Sequence, residues 1–266
     1  MQIRYCSPWW GHEHVPMKDF LRTIAAAGYD GIDTWIPPHA EDQKALRDAD
    51  ITLVLHQHEA SDPADYRRRL ETCASWRPLL INSHTGRDWF TLEQQLALID
   101  IAQEVADKTG TPIVHETHRG RMGYSPQTAA ILFDQRPNLR ITADFSHWTC
   151  VTESLLDNFG DTLAVACRRA RHIHARVGFE QGPQVRDPAD PAFDYAVRKF
   201  LGWWDAIVEH NLFIGTPVLT MTTEFGPPPY MPCNDDQFRQ NRYMLELLKT
   251  RYGQEISKSA TDISHT

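Results

Sequence analysis

Eight times along the chain, a short run of β-branched and aliphatic residues gives way to a stretch with helical periodicity. Such an alternation confines the chain to folds of parallel strands joined by helical crossovers. The strand-like runs are Ile3–Cys6, Gly31–Trp35, Thr52–His58, Leu79–His84, Pro112–Glu116, Ile141–Asp144, His172–Arg176 and Val218–Glu224. Between them the spacing predicts helices from Met17 to about Gly28, Glu41 to Ala49, Asp62–Pro63 to Trp76, and Thr91 to Lys108 with Gly110 as its stop. Ser125–Pro126 opens the next helix, two short helical pieces lie between Glu153 and Cys167, and longer helices run from Phe193 to His210 and from Asp235 to Tyr252. No linker interrupts the series. The expected fold is therefore α/β, a (β/α)8 TIM barrel in one domain over residues 1–252, followed by a polar tail at 253–266. An open doubly wound sheet is the rival, but no glycine-rich phosphate fingerprint follows an early strand.

The strand ends are chemically unusual. Glu116 closes the fifth run, Asp144 the sixth, His172-Ile173-His174 lies in the seventh, and Glu224 closes the eighth. In a barrel, side chains at C-terminal strand ends converge on one mouth, where active sites lie. Buried acids and imidazoles are costly unless paired or metal-bound, so four in succession point to a shared ion. Carboxylates with one imidazole form a hard, oxygen-rich donor set suited to Mn²⁺, Mg²⁺ or Co²⁺, and the further histidines nearby keep Zn²⁺ open. Alternate residues of a strand share a face, so His118 goes with Glu116 and Arg176 with His174. His58, His84, Arg121 and Trp10, also at or just past strand ends, are further candidates for holding a substrate. Arginine at such positions suits a carboxylate or phosphate, and tryptophan suits the apolar face of a sugar.

A formal net charge of -8 argues against a general partner among nucleic acids or acidic membranes. The five cysteines are scattered without a C-x-x-C pair, which points away from a disulfide framework or thiolate metal site and towards a reducing compartment. A strand-like run begins at Ile3, and no apolar run approaches the ~20 residues that span a bilayer. The expectation is a cytoplasmic chain without a signal peptide, acting on a small molecule. Assembly into a homo-oligomer is left open.

The order Glu116, Asp144-x-x-His147, His174, Glu224 resembles the xylose isomerase-like TIM-barrel superfamily, which includes sugar isomerases, ketose 3-epimerases, hydroxypyruvate isomerase, inosose dehydratase and endonuclease IV. The D-x-x-H and H-x-H elements are its most specific parts. The resemblance implies that Glu116, Asp144, His174 and Glu224 bind one divalent ion, with His174 chosen over His172, and that His147 and Arg176 hold substrate oxygens. It further implies isomerase or epimerase chemistry on a sugar or sugar derivative. Glu116 and Glu224 would be the acid–base pair, working through a metal-bound enediolate. A keto-sugar or keto-inositol dehydratase is the alternative. An endonuclease IV-like zinc phosphodiesterase, recommended by His56, His58 and His84, ranks lower because no D-x-H pair separates His174 from Glu224. A non-catalytic sugar-binding protein would not need twin carboxylates.

Overall fold

The computed structural model describes residues 1–60, 62–232 and 236–253. Eight parallel strands close into a barrel: β1 (Gln2–Pro8), β2 (Gly31–Thr34), β3 (Thr52–Ala60), β4 (Leu80–Thr85), β5 (Ile113–Glu116), β6 (Ile141–Ala143), β7 (Ala170–His174) and β8 (Val218–Thr222). Each strand pairs with the next in sequence, and β1 meets β8 through the register Gln2–Val218 to Cys6–Thr222. The (β/α)8 expectation holds. Around the barrel run α1 (Met17–Ala26), α2 (Ala40–Asp48), α3 (Pro63–Ala74), α4 (Leu92–Thr109) and α5 (Pro126–Gln135). They are followed by α6 (Phe145–Thr152), α7 (Gly160–Arg169), α8 (Asp194–Phe213) and α9 (Gln237–Gly253). No described helix is long and apolar enough to cross a membrane.

The apolar residues pack in the layer between strands and helices. Ile32, Ile173, Leu219 and Met221 from the strands meet Ile24, Phe200, Trp204 and Leu248 from the helices, all fully buried. Trp203 and Trp204 belong to this layer, so they pack rather than bind. Strands covered on both faces must be apolar outward as well as filled inward, which explains their β-branched runs.

Local signals set the helix ends. Asp62 accepts the Asp65 N–H at 2.8 Å and Pro63 follows at the first helical position. Thr91 and Gln94 form a reciprocal capping box at the start of α4, and Gly110 (φ 71°) ends that helix in the left-handed region. We expect Thr91→Ala to cost about 1 kcal/mol, lowering the melting temperature by about 2–4 °C without changing any ligand affinity. Calorimetry would check this.

Several boundaries differ from the sequence expectation. β7 and β8 end at His174 and Thr222, so Arg176 and Glu224 sit two residues beyond their strands, in the mouth of the barrel. A helix, α6, starts directly after Asp144, upstream of the expected pieces at Glu153–Cys167. Asp144 caps it, its Oδ1 accepting the Ser146 N–H at 3.1 Å. Gly253 closes α9 rather than opening a tail. Cys233, the expected helix start at Asp235 and residues 254–266 lie outside the described residues.

Candidate active site

The C-terminal ends of the strands surround a cavity of about 370 Å³ lined by Trp10, Glu13, Trp35, His56, His58, His84, Glu116, His118, Arg176, Glu224 and Tyr230. At its floor, Glu116, Asp144, His174 and Glu224 each bring one ligand-type atom within 4.8 Å of the others, and all four residues are buried. His174 Nδ1 lies 2.7 Å from Glu224 Oε2, 3.6 Å from Glu116 Oε2 and 3.9 Å from Asp144 Oδ2. Neither His174 Nδ1 nor Glu224 Oε2 has a hydrogen-bond partner, although both are buried. The two face each other at ion-pair distance without hydrogen-bond geometry, and three buried carboxylates around one imidazole are an expensive arrangement for a purely structural cluster. A divalent cation would satisfy both, and this donor set fits one.

The other ligand atoms are held in place by neighbours. Glu116 Oε2 accepts from Asn82 Nδ2 at 2.7 Å and from His84 Nε2 at 3.1 Å. Thr142 Oγ1 donates to Asn82 Oδ1 at 2.7 Å, which fixes the amide's orientation. Burial works against charge on Glu116, but the facing His84 and His174 rings hold its carboxyl well below the usual range. Asp144 differs. Burial, with the Glu224 and Glu116 carboxylates, pushes it up to about 7 against the opposing pull of Arg176. Arg176 Nη2 donates to Asp144 Oδ2 and, at 2.8 Å, to His147 Nε2, while Nε reaches Ser146 Oγ at 3.1 Å. Burial also opposes charge on His174, yet Glu224 and Glu116 hold its ring well above the usual imidazole value.

A second set of imidazoles forms one wall. His56 stacks on His58 with ring centroids 4.3 Å apart, His84 lies 4.2 Å from His56, and His118 lies 4.4 Å from His84. Burial and the neighbouring rings press His56 and His118 well below the ordinary value and His58 down to about 4, so these three rings are uncharged at neutral pH. Aromatic rings line the cavity as well. Trp10 meets Tyr230 edge-on at 5.1 Å, and Gly226 makes room for it, since a Cβ there would come within 2.3 Å of the indole.

Of the residues expected at the site, the structure brings together Trp10, His58, His84, Glu116, His118, His174, Arg176, Glu224 and Asp144. His147 and Arg121 are buried but do not line the cavity; His147 stands behind Arg176 and Asp144. Sequence reasoning missed Asn82, Asp33, Glu13 and Tyr230. Asn82 shares its strand face with His84, and a polar amide inside an otherwise apolar run was the available signal. Tyr230 lies in a proline-rich loop with no periodicity to reveal its direction.

No protein-family model matches the chain, and no curated protein matches it. Solved structures do. The probable 3-DHS dehydratase AsbF of Bacillus anthracis, involved in petrobactin synthesis, superposes with a TM-score of 0.62 at 16% identity, covering 92% of this chain and 98% of that one. A xylose isomerase domain-containing protein of Salmonella typhimurium gives 0.62 at 10% identity over 92% and 97%. A sugar phosphate isomerase/epimerase of Parabacteroides distasonis gives 0.56 at 10% identity over 92% and 97%. The chain shares its fold with these three structures. In this barrel, the acid and imidazole side chains occupy the end where the (β/α)8 fold places active sites.

Proposed function

We propose that the protein is a metal-dependent isomerase or epimerase of a small sugar or sugar derivative, moving a proton on the carbon beside a carbonyl. The observation that carries this reading is the pair of orphaned atoms, His174 Nδ1 and Glu224 Oε2, converging with the Glu116 and Asp144 carboxylates below a cavity of sugar size. Glu116, Asp144, His174 and Glu224 would hold one Mn²⁺, Mg²⁺ or Co²⁺, which supplies Lewis acidity to a substrate carbonyl and its adjacent hydroxyl.

The chain's own groups divide the remaining work. Glu224 faces the cavity with an oxygen that no donor occupies, so it is the better proton acceptor. Glu116 has an oxygen engaged by Asn82 and His84, which weakens it as a base and suits it to charge compensation or to the return of a proton. Trp10 and Tyr230 exclude water and cover the apolar face of a sugar, while the imidazoles of His58, His84 and His118 offer ring nitrogens to hydroxyls. Arg176, anchored on Asp144, brings positive charge to the oxygen that becomes negative as the enediolate forms.

Return of the proton to the neighbouring carbon gives isomerisation, and return to the opposite face gives epimerisation. A second reading, loss of a β-hydroxyl, is favoured by the likeness to the probable 3-DHS dehydratase. One experiment tests both. The metal-loaded protein is incubated in D₂O with a panel of ketoses and cyclic keto-polyols, and spectra are followed by NMR. Deuterium at the carbon beside the carbonyl is the expected result, with a new stereoisomer or a new alkene signal separating the two readings. No deuterium in any member of the panel would count against proton abstraction.

A further inference from the structure

We infer that Asp33 is the positioning residue for His174: it accepts a hydrogen bond from Nε2–H, so that Nδ1 is the atom offered to the divalent ion. This rests on the metal reading above and goes beyond it, because Asp33, on β2, is outside the quartet and touches its histidine from the side of Nε2. Its side chain is buried, and its Oδ2 lies 3.2 Å from His174 Nε2, 3.2 Å from His172 Nε2 and 2.9 Å from Thr222 Oγ1. An ionised carboxylate only accepts hydrogen bonds, so nitrogens facing it at this range carry hydrogen. Left without those donors, a charge at this depth would be costly.

A neutral imidazole has one N–H. Once it is committed to Asp33, the lone pair of His174 is on Nδ1, the atom that has no hydrogen-bond partner and faces three carboxylates. The other neighbour of Nε2, Asn82 Nδ2 at 3.3 Å, is the donor to Glu116 at 2.7 Å and does not require a lone pair on the ring. His172 then has a different task from His174. Its Nδ1 lies 2.6 Å from Thr220 Oγ1 and 3.1 Å from the Thr220 carbonyl oxygen, and its Nε2 lies 3.2 Å from Asp33. In the H-x-H element the first histidine thus braces the carboxylate that aims the second. The rival arrangement is an ion held by Asp33, His172 and His174 themselves, whose ligand-type atoms also lie within 4.8 Å of one another.

Two measurements decide it. Metal-free wild type and Asp33→Asn are titrated with Mn²⁺ by calorimetry, and ¹⁵N–¹H correlation spectra of the imidazoles are recorded on zinc-loaded wild type. Outer-shell partners of this kind typically govern metal affinity by about 10–100-fold. The expected result is one ion per chain in both proteins, affinity weaker by that factor in the variant, and a His174 ring protonated on Nε2 with its Nδ1 resonance shifted by the metal. Equal affinities in the two proteins would overturn the role of Asp33 while leaving the metal reading intact. A wild type that binds no ion would overturn both. If the variant does not fold, the wild-type spectrum still decides, because a metal on Nε2 of His174 contradicts the inference.

Discussion

Glu224→Gln is expected to cut proton exchange at the substrate carbon by roughly 10²–10⁴-fold, the usual contribution of a positioned acid or base. Glutamine keeps the side chain's shape and one oxygen donor but cannot accept the proton. The cause lies in the geometry of the two candidate bases. Glu116 is deep in the barrel with its Oε2 receiving two hydrogen bonds, whereas Glu224 stands past β8, borders the cavity and has an Oε2 without a donor. The fold should survive, because Glu224 sits beyond the last ladder contact of β8 and its nearest charged neighbours, His174 and Arg176, retain other partners. Deuterium wash-in by NMR measures the loss, and a melting curve of the metal-free variant checks the fold. Exchange at the wild-type rate would remove Glu224 from the proton-transfer role.

Asp144→Ala is expected to reduce metal occupancy and thermal stability together. The carboxylate does three things at once. It offers an atom to the quartet, it pairs with the buried Arg176, and it caps α6 through Ser146. Removing one partner of a buried ion pair costs about 3–5 kcal/mol. Arg176 keeps Glu224 at 3.6 Å, which favours the lower end. About 3 kcal/mol corresponds to a fall of about 6–12 °C in a chain of this size. The wild type should melt higher when Mn²⁺ is added, since a ligand that binds only the folded form stabilises it. In the variant that increment should shrink or vanish. Wild-type occupancy with an unchanged increment would show that Asp144 is not a ligand.

The barrel and the quartet were both legible in the sequence for one reason. A run such as Ile113-Val114-His115-Glu116 has too many β-branched residues for a surface strand and an acid that needs a partner at its end. Four such endings point to one place only if the strands converge, and the closed barrel makes them converge. What escaped was set by contacts rather than by local pattern. The segment Phe145-Ser146-His147-Trp148-Thr149 is rich in weak helix formers, so propensity gave no reason to begin a helix at Asp144. The Asp144 cap and the burial of Phe145 and Trp148 overrule it. Asp33 lies on a short strand, and nothing in Gly31-Ile32-Asp33-Thr34 says that two histidines more than a hundred residues later will face it. Tyr230 acquires its place only because Gly226 lets Trp10 approach the backbone of the β8 loop.

The central claim is that Glu116, Asp144, His174 and Glu224 form a divalent-metal site, and elemental analysis of the purified protein tests it most directly. The account predicts about one Mn, Mg or Co per chain, removed by a chelator and regained on adding the ion back. A protein that holds no divalent ion even after reconstitution, while folded, would contradict it.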